Sequence, residues 1–306
     1  MPNIWTHIMF CEDVMDSVRY PYQSEINQGY MNLGAQGPDP FFYHNFWPWK
    51  KEKSVEKVGN LIHQEKCGDF LYDLILHSAN SNNHAKAYVI GFITHHILDR
   101  NTHPYIHYRA GYKKNNHQRL EVAIDTILMR KARNLPTWKT PVYKEIDIGY
   151  KLNSEVEDIL KKTIYTHFPS VKEITTDSFI QDSYRDMKRA LRVLYDPLGW
   201  KNKLLGSFVS DFSHQPLQND HDYLNEQHNK WYHSATNESS EESFLELYEH
   251  ARAQSIDIIS EIIRFWQTPA RGKQLLLREL IGNYSYDTGK PLELGLTNRY
   301  SESIYG

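Results

Sequence analysis

The chain has 306 residues and a net charge of −3, from 38 acidic and 35 basic side chains. Hydrophobic residues make up 40% and charged residues 24%, a soluble globular balance rather than a disordered or membrane one. The near-neutral charge argues against a broad nucleic-acid footprint, and the longest apolar stretches, such as Tyr88 to Ile93, are too short to span a bilayer.

Helical periodicity dominates and strand-like alternation is scarce, so the expected fold class is all-α, a multi-helix bundle with a metal site between helices. One domain over 1–306 is expected, with residues 1–133 as a metal-binding half and 150–306 as a helical half of unassigned role. Met1 to His7 carry neither a basic nor a long apolar run, so no signal peptide is read. A cytoplasmic location follows, with peripheral membrane contact left open. Residues 6–20 read as a short helix. Residues 22–52 read as an irregular, aromatic-rich loop of the packed, functional kind. Ser54 is placed to cap a helix over 54–80. The next helix runs from 84 to about 100, and a loop from Pro104 to Asn115 follows it. Asn115 or Asn116 then caps a helix to about 133. After a Pro-marked break near 134–150, helices are expected near 152–168, 176–196, 198–212, 217–234, 240–267 and 270–283. Ser239 to Glu242 has capping-box spacing. The tail 284–306 reads as irregular, with Gly282 to Gly289 as an ordered loop. Cys11 and Cys67 form no metal-type pair and read as reduced core residues.

Histidine is the outlier: there are sixteen, ten of them within the first 117 residues. His95, Asp99 and His103 are spaced i, i+4, i+8, which places them on one stripe of a helix that reaches His103. Two imidazoles and a carboxylate in a row suit a divalent metal, zinc above others. His117, Glu121 and Asp125 repeat the spacing on the next helix. Facing rows would bring together more ligands than one tetrahedral zinc takes, which suggests two metals. Blander readings apply to several residues. His96 and His107 read as hydrogen-bonded core residues, and Asp125 could pair with Arg130 or Lys131 on its own helix. The His221-Asp222 doublet reads as surface. HExxH, GxGxxG, Walker, Glu-x-x-His and GxSxG patterns are absent, which lowers the corresponding enzyme classes.

On these residues the chain resembles the bacterial zinc-dependent phospholipases C and their nuclease relatives, over roughly residues 1–130. His95-x3-Asp99, His103 beside Pro104, and His117-x3-Glu121-x3-Asp125 match that family's helical motifs. Gly37 to Trp47 resembles its Asp-plus-His loop, and His7 its N-terminal helix histidine. The resemblance implies a zinc-dependent phosphodiester hydrolase acting through a metal-activated water. It implies Asp39 as general base or bridging ligand, and His7, Asp39, His44, His63, His95, Asp99, His103, His117 and Glu121 as the metal-binding set. His44 and His63 compete for one ligand role. Two zinc ions, or three, are implied, with phospholipid or another phosphodiester as substrate. A metallophosphodiesterase or nuclease on a soluble substrate, or a non-catalytic helical protein with a structural metal, are the alternative readings.

Overall fold

The structure is a computed structural model that describes residues 4–18, 27–47, 49–113, 115–217 and 221–306. Helix α1 (Ile4–Ser17) fills most of the span expected over 6–20, whose last two residues lie outside the described ones. The expected loop over 22–52 is in part helical, and its first residues, 22–26, also lie outside the description. Helix α2 (Gln28–Gly34) starts where the Asn27 side chain accepts from the Tyr30 amide at 3.1 Å, and α3 (Pro40–Tyr43) is a single turn begun by proline. The dense glycine and proline hid both elements in the sequence.

The single helix expected over 54–80 is two, α4 (Glu56–Gln64) and α5 (Cys67–Ser78). Lys66 adopts φ +52° between them and turns the chain. Ser54 is not the cap: its hydroxyl donates to the Ile174 carbonyl at 2.7 Å. Helix α6 (Asn83–Ala110) runs straight through Pro104, where a loop was expected. Proline removes the amide that would bond the Arg100 carbonyl. Gly289 lies against that carbonyl so closely that a Cβ there would sit 2.0 Å from it. Burial of Tyr105, Ile106 and Tyr108 holds the turns beyond the proline.

Helix α7 (Asn116–Arg133) follows, entered through Asn115 at φ +64° without a side-chain cap. Helices α8 (Ser154–His167) and α9 (Phe179–Leu194) match their expected spans. The span 198–212 is broken at Gly206 into α10 (Trp200–Leu205) and α11 (Ser207–Ser210). No helix forms in the described part of 217–234. The Asp222 carboxylate accepts from the Glu226 and Gln227 amides at 2.8 and 2.9 Å, and Asn225 and His228 take positive φ, which commits the segment to turns. It leads into β1 (Trp231–Tyr232), paired antiparallel with β2 (Ser239–Ser240). The capping box lies at Ser243 and Glu246, at the start of α12 (Phe244–Gln267), not at Ser239 to Glu242. Helix α13 (Arg271–Ile281) ends at Gly282, and the tail beyond is irregular apart from short turns.

Helix α6 is the axis of the molecule. It is buried almost all round, as a central helix is, and α1, α2, α5, α7, α8 and α12 pack against it. The crossing with α2 depends on glycine. A Cβ on Gly34 would lie 2.0 Å from the Tyr88 carbonyl, and one on Gly91 would lie 2.2 Å from the Met31 carbonyl. Cys11 and Cys67 are buried and unbonded to each other. Among the described residues no helix is long and apolar enough to cross a membrane.

Candidate metal centre

Three turns of α6 present His95, Asp99 and His103, all buried. The neighbouring elements face this row. From α1, His7 stacks on His95 with ring centroids 4.2 Å apart, and its Nε2 lies 3.2 Å from Asp99 Oδ1. From α7, His117 Nε2 lies 2.9 Å from Glu121 Oε1. Glu121 Oε1 is in turn 3.6 Å from His103 Nε2. Asp39, in the turn before α3, places Oδ1 3.6 Å from His63 Nε2 of α4 and 4.0 Å from His95 Nε2. Asp99 joins the row, with Oδ2 3.0 Å from His95 Nε2 and Oδ1 3.3 Å from His103 Nε2.

The backbone sets how these rings point. His63 Nδ1 lies 2.8 Å from the Gly59 carbonyl and His95 Nδ1 lies 3.0 Å from the Ala35 carbonyl. A carbonyl only accepts, so in each neutral ring Nδ1 carries the proton and Nε2 presents its lone pair to the cluster. Gly37, at φ +52°, packs on the His95 ring, and a Cβ there would be 2.3 Å from it.

Charge in the cluster is uneven. Burial pushes Asp39 up to about 7, with His95 opposing. Burial also acts to raise Asp99, but His103, His95 and His7 around it hold it well below the usual carboxylate range. Glu121 is held low against burial by His117 and His103. Burial lowers His63 and His117 to about 4, so both are neutral near pH 7 and able to donate a lone pair. Burial opposes protonation of His103 as well, but Asp99 leads the groups that raise it well above the ordinary histidine value.

The arrangement fits divalent ions. Three groups offer three ligand atoms each within 4.8 Å of one another: His7, His95 and Asp99; Asp39, His63 and His95; His103, His117 and Glu121. Two ligands of one tetrahedral zinc, each about 2.0–2.1 Å from the ion, stand about 3.3 Å apart, close to the N···O separations here. Asp39 Oδ2 and His95 Nε2 are buried without a hydrogen-bond partner in the protein. Buried polar atoms seldom stay so, and a cation is the partner that imidazole and carboxylate share.

Of the residues expected from sequence, His7, Asp39, His63, His95, Asp99, His103, His117 and Glu121 come together. His44 does not. It is half-buried at the C-terminal end of α3, near Asp186, Asp182 and Glu52, and it joins no metal-type group among the described residues. Asp125 also stands apart, and it pairs with neither Arg130 nor Lys131. Its carboxylate accepts from the Trp5 and Thr6 amides at 3.1 and 2.8 Å, from the Thr6 hydroxyl, and from His214 Nε2 at 3.0 Å. It therefore caps the first turn of α1, the helix that carries His7. His96 is the expected core residue, donating to the Tyr284 carbonyl at 2.9 Å. His107 is not. Its Nε2 faces Asp287 at 3.7 Å, and with His103 the two form a fourth group. Asp287 and the buried Tyr286, whose ring lies 4.7 Å from that of His63, were missed. Their only sequence signal was the ordered look of Gly282 to Gly289.

A family model described as zinc dependent phospholipase C matches residues 6–192. No curated protein and no solved structure matches the chain. The matched span holds every expected ligand from His7 to Glu121, and the loop with Tyr286 and Asp287 lies outside it.

Proposed function

The chain belongs to the zinc-dependent phospholipase C family, and we infer that it hydrolyses a phosphodiester as a phospholipase C does, with two zinc ions or three. One observation carries the reading. Imidazole nitrogens and carboxylate oxygens from four helices and one turn stand at ligand-to-ligand spacing inside the core. In this reading His63, His95 and Asp99 hold one ion, and His103, His117 and Glu121 hold the other. His7 stacks on His95 and turns its Nε2 to Asp99, the position for a third. Bound zinc supplies charge neutralisation of the phosphoryl oxygens and lowers the pKa of water towards about 7.

The chain's own groups do the rest. Asp39 Oδ1, 3.6 Å from His63 Nε2 and 4.0 Å from His95 Nε2, is placed to take the proton of the attacking water. The carbonyls of Gly59 and Ala35 fix two rings so that their lone pairs need no reorientation. Phe42 packs beside His63 at 5.5 Å between centroids, and Trp47 stacks on the exposed Trp49 further along the same loop. These rings offer an apolar wall for the lipid portion of a substrate.

The test is metal content by plasma mass spectrometry together with hydrolysis of a phosphatidylcholine analogue. Wild-type protein is expected to carry about two zinc ions or more and to turn over the analogue. Asp99→Asn and His117→Ala are each expected to lose zinc and activity together. A variant with full metal and full activity overturns the reading. Turnover of a soluble nitrophenyl phosphodiester without turnover of the lipid assigns a soluble substrate instead.

A further inference from the structure

We propose that Asp287 is a positioning residue of the metal centre, holding His103 through Nδ1 so that Nε2 faces the ion. The inference rests on the reading that His103 is a zinc ligand. It concerns a residue beyond the family-matched span, on a loop between α13 and the C-terminal tail.

That loop is built and anchored. Its two ends are Gly282 and Gly289, at φ +59° and +61°. Gly68 lies so close that a Cβ there would be 1.7 Å from the Gly282 carbonyl, and Gly289 lies on the Arg100 carbonyl freed by Pro104. The Ser285 hydroxyl accepts from the Asp287 and Thr288 amides at 3.1 and 3.2 Å. Asn298 Nδ2 donates to the Asp287 carbonyl at 3.3 Å. His96 donates to the Tyr284 carbonyl, and the Tyr286 ring is wedged against His96 and His63 at 4.4 and 4.7 Å. The backbone of Asp287 is thus held on both sides.

From this anchor Asp287 Oδ1 reaches two imidazoles. It lies 3.7 Å from His103 Nδ1 and 3.7 Å from His107 Nε2. Both nitrogens are buried and have no other hydrogen-bond partner. The separation is a few tenths of an ångström beyond hydrogen-bond contact, and the Asp287 side chain is 32% exposed, so it has room to close it. His103 uses its other nitrogen elsewhere: Nε2 stands 3.3 Å from Asp99 and 3.6 Å from Glu121. As a zinc ligand His103 gives up one proton to the solvent and is a neutral imidazole, with one N–H and one lone pair. With the N–H directed at a carboxylate, the lone pair is fixed on the Nε2 side, among Asp99 and Glu121. The same allocation argues against a separate ion held by His103, His107 and Asp287, since that ion would need the nitrogen that carries the proton.

The experiment compares zinc affinity, by competition with a chelator, in wild-type, Asp287→Asn, Asp287→Glu and His117→Ala protein. Metal-free melting temperatures and the absorption spectra of the cobalt-substituted forms are recorded alongside. Asp287→Asn is expected to weaken zinc binding about 10- to 100-fold, to change the cobalt spectrum, and to melt with the wild type once metal-free. Asp287→Glu, longer by one methylene across a 3.7 Å gap, is expected to recover most of the affinity. Unchanged affinity and spectrum in Asp287→Asn, with zinc lost in His117→Ala, overturns the inference and leaves the functional reading standing. Loss of one whole ion in Asp287→Asn makes it a ligand and also overturns the positioning role. A wild-type protein that binds no zinc removes the functional reading, and the inference with it.

Discussion

Adjacent histidines on α6 have opposite surroundings. His95 turns its Nε2 into the cluster of carboxylates, while His96 donates to the Tyr284 carbonyl and packs against Tyr286. Burial lowers His96 from 6.5 to about 3. Its folded value is depressed, so the unfolded chain takes the proton first. The stability it contributes is full above about pH 6.5, falls as pH drops towards 3, and changes by about 1.4 kcal/mol per unit. Urea unfolding of chelator-treated protein between those limits is expected to show a shallower pH dependence in His96→Gln than in wild type. Equal slopes would show that His96 titrates alike in both states. At this scale the sequence was informative where one helix carries the pattern. The i, i+4, i+8 rows could be read because helical geometry alone aligns them. The choice between His44 and His63 could not, because it depends on how α3 and α4 meet. Asp287 was invisible for the same reason, since only tertiary closure brings residue 287 to residue 103.

Among the elements, the errors of the sequence reading share a cause. Pro104 ends a helix in an isolated chain, but here burial of the turns beyond it and the approach of Gly289 keep α6 whole. Lys66 breaks a helix that its apolar periodicity would continue, because the αL turn lets α4 and α5 pack on different neighbours. Local signals that tertiary packing reinforces, such as the periodicity of α8 and α9, were legible. The α2–α6 crossing makes a sharper test. Gly91→Ala would place a methyl 2.2 Å from the Met31 carbonyl and 2.4 Å from the Ala35 amide. Something must shift, and a loss on the order of 1–3 kcal/mol is expected in urea unfolding. The Ala35 carbonyl also orients His95, so zinc affinity is expected to fall in the same variant. Unaltered stability would mean that the two helices separate freely.

For the whole molecule, an ion that binds only the folded chain adds stability in proportion to the logarithm of its concentration. At a thousandfold over its dissociation constant the gain is about 4 kcal/mol. Stripping the protein with a chelator is expected to lower its melting temperature, and zinc is expected to restore it where magnesium, an oxygen-seeking ion, does not. Equal melting curves with and without chelator would count against any bound metal. The all-α class was readable from periodicity throughout, whereas the crossing partners of α6 were not, since no single stretch of sequence encodes them. The wide scatter of the donors along the chain has a further consequence, one of timing. His7, Asp39, His63, the α6 row and the α7 pair arrive on separate elements, so the full donor set exists only once long-range crossings have closed. An interaction absent from the folding transition state acts on the rate of unfolding. Bound zinc would therefore lengthen the lifetime of the folded chain while leaving the speed of folding almost untouched.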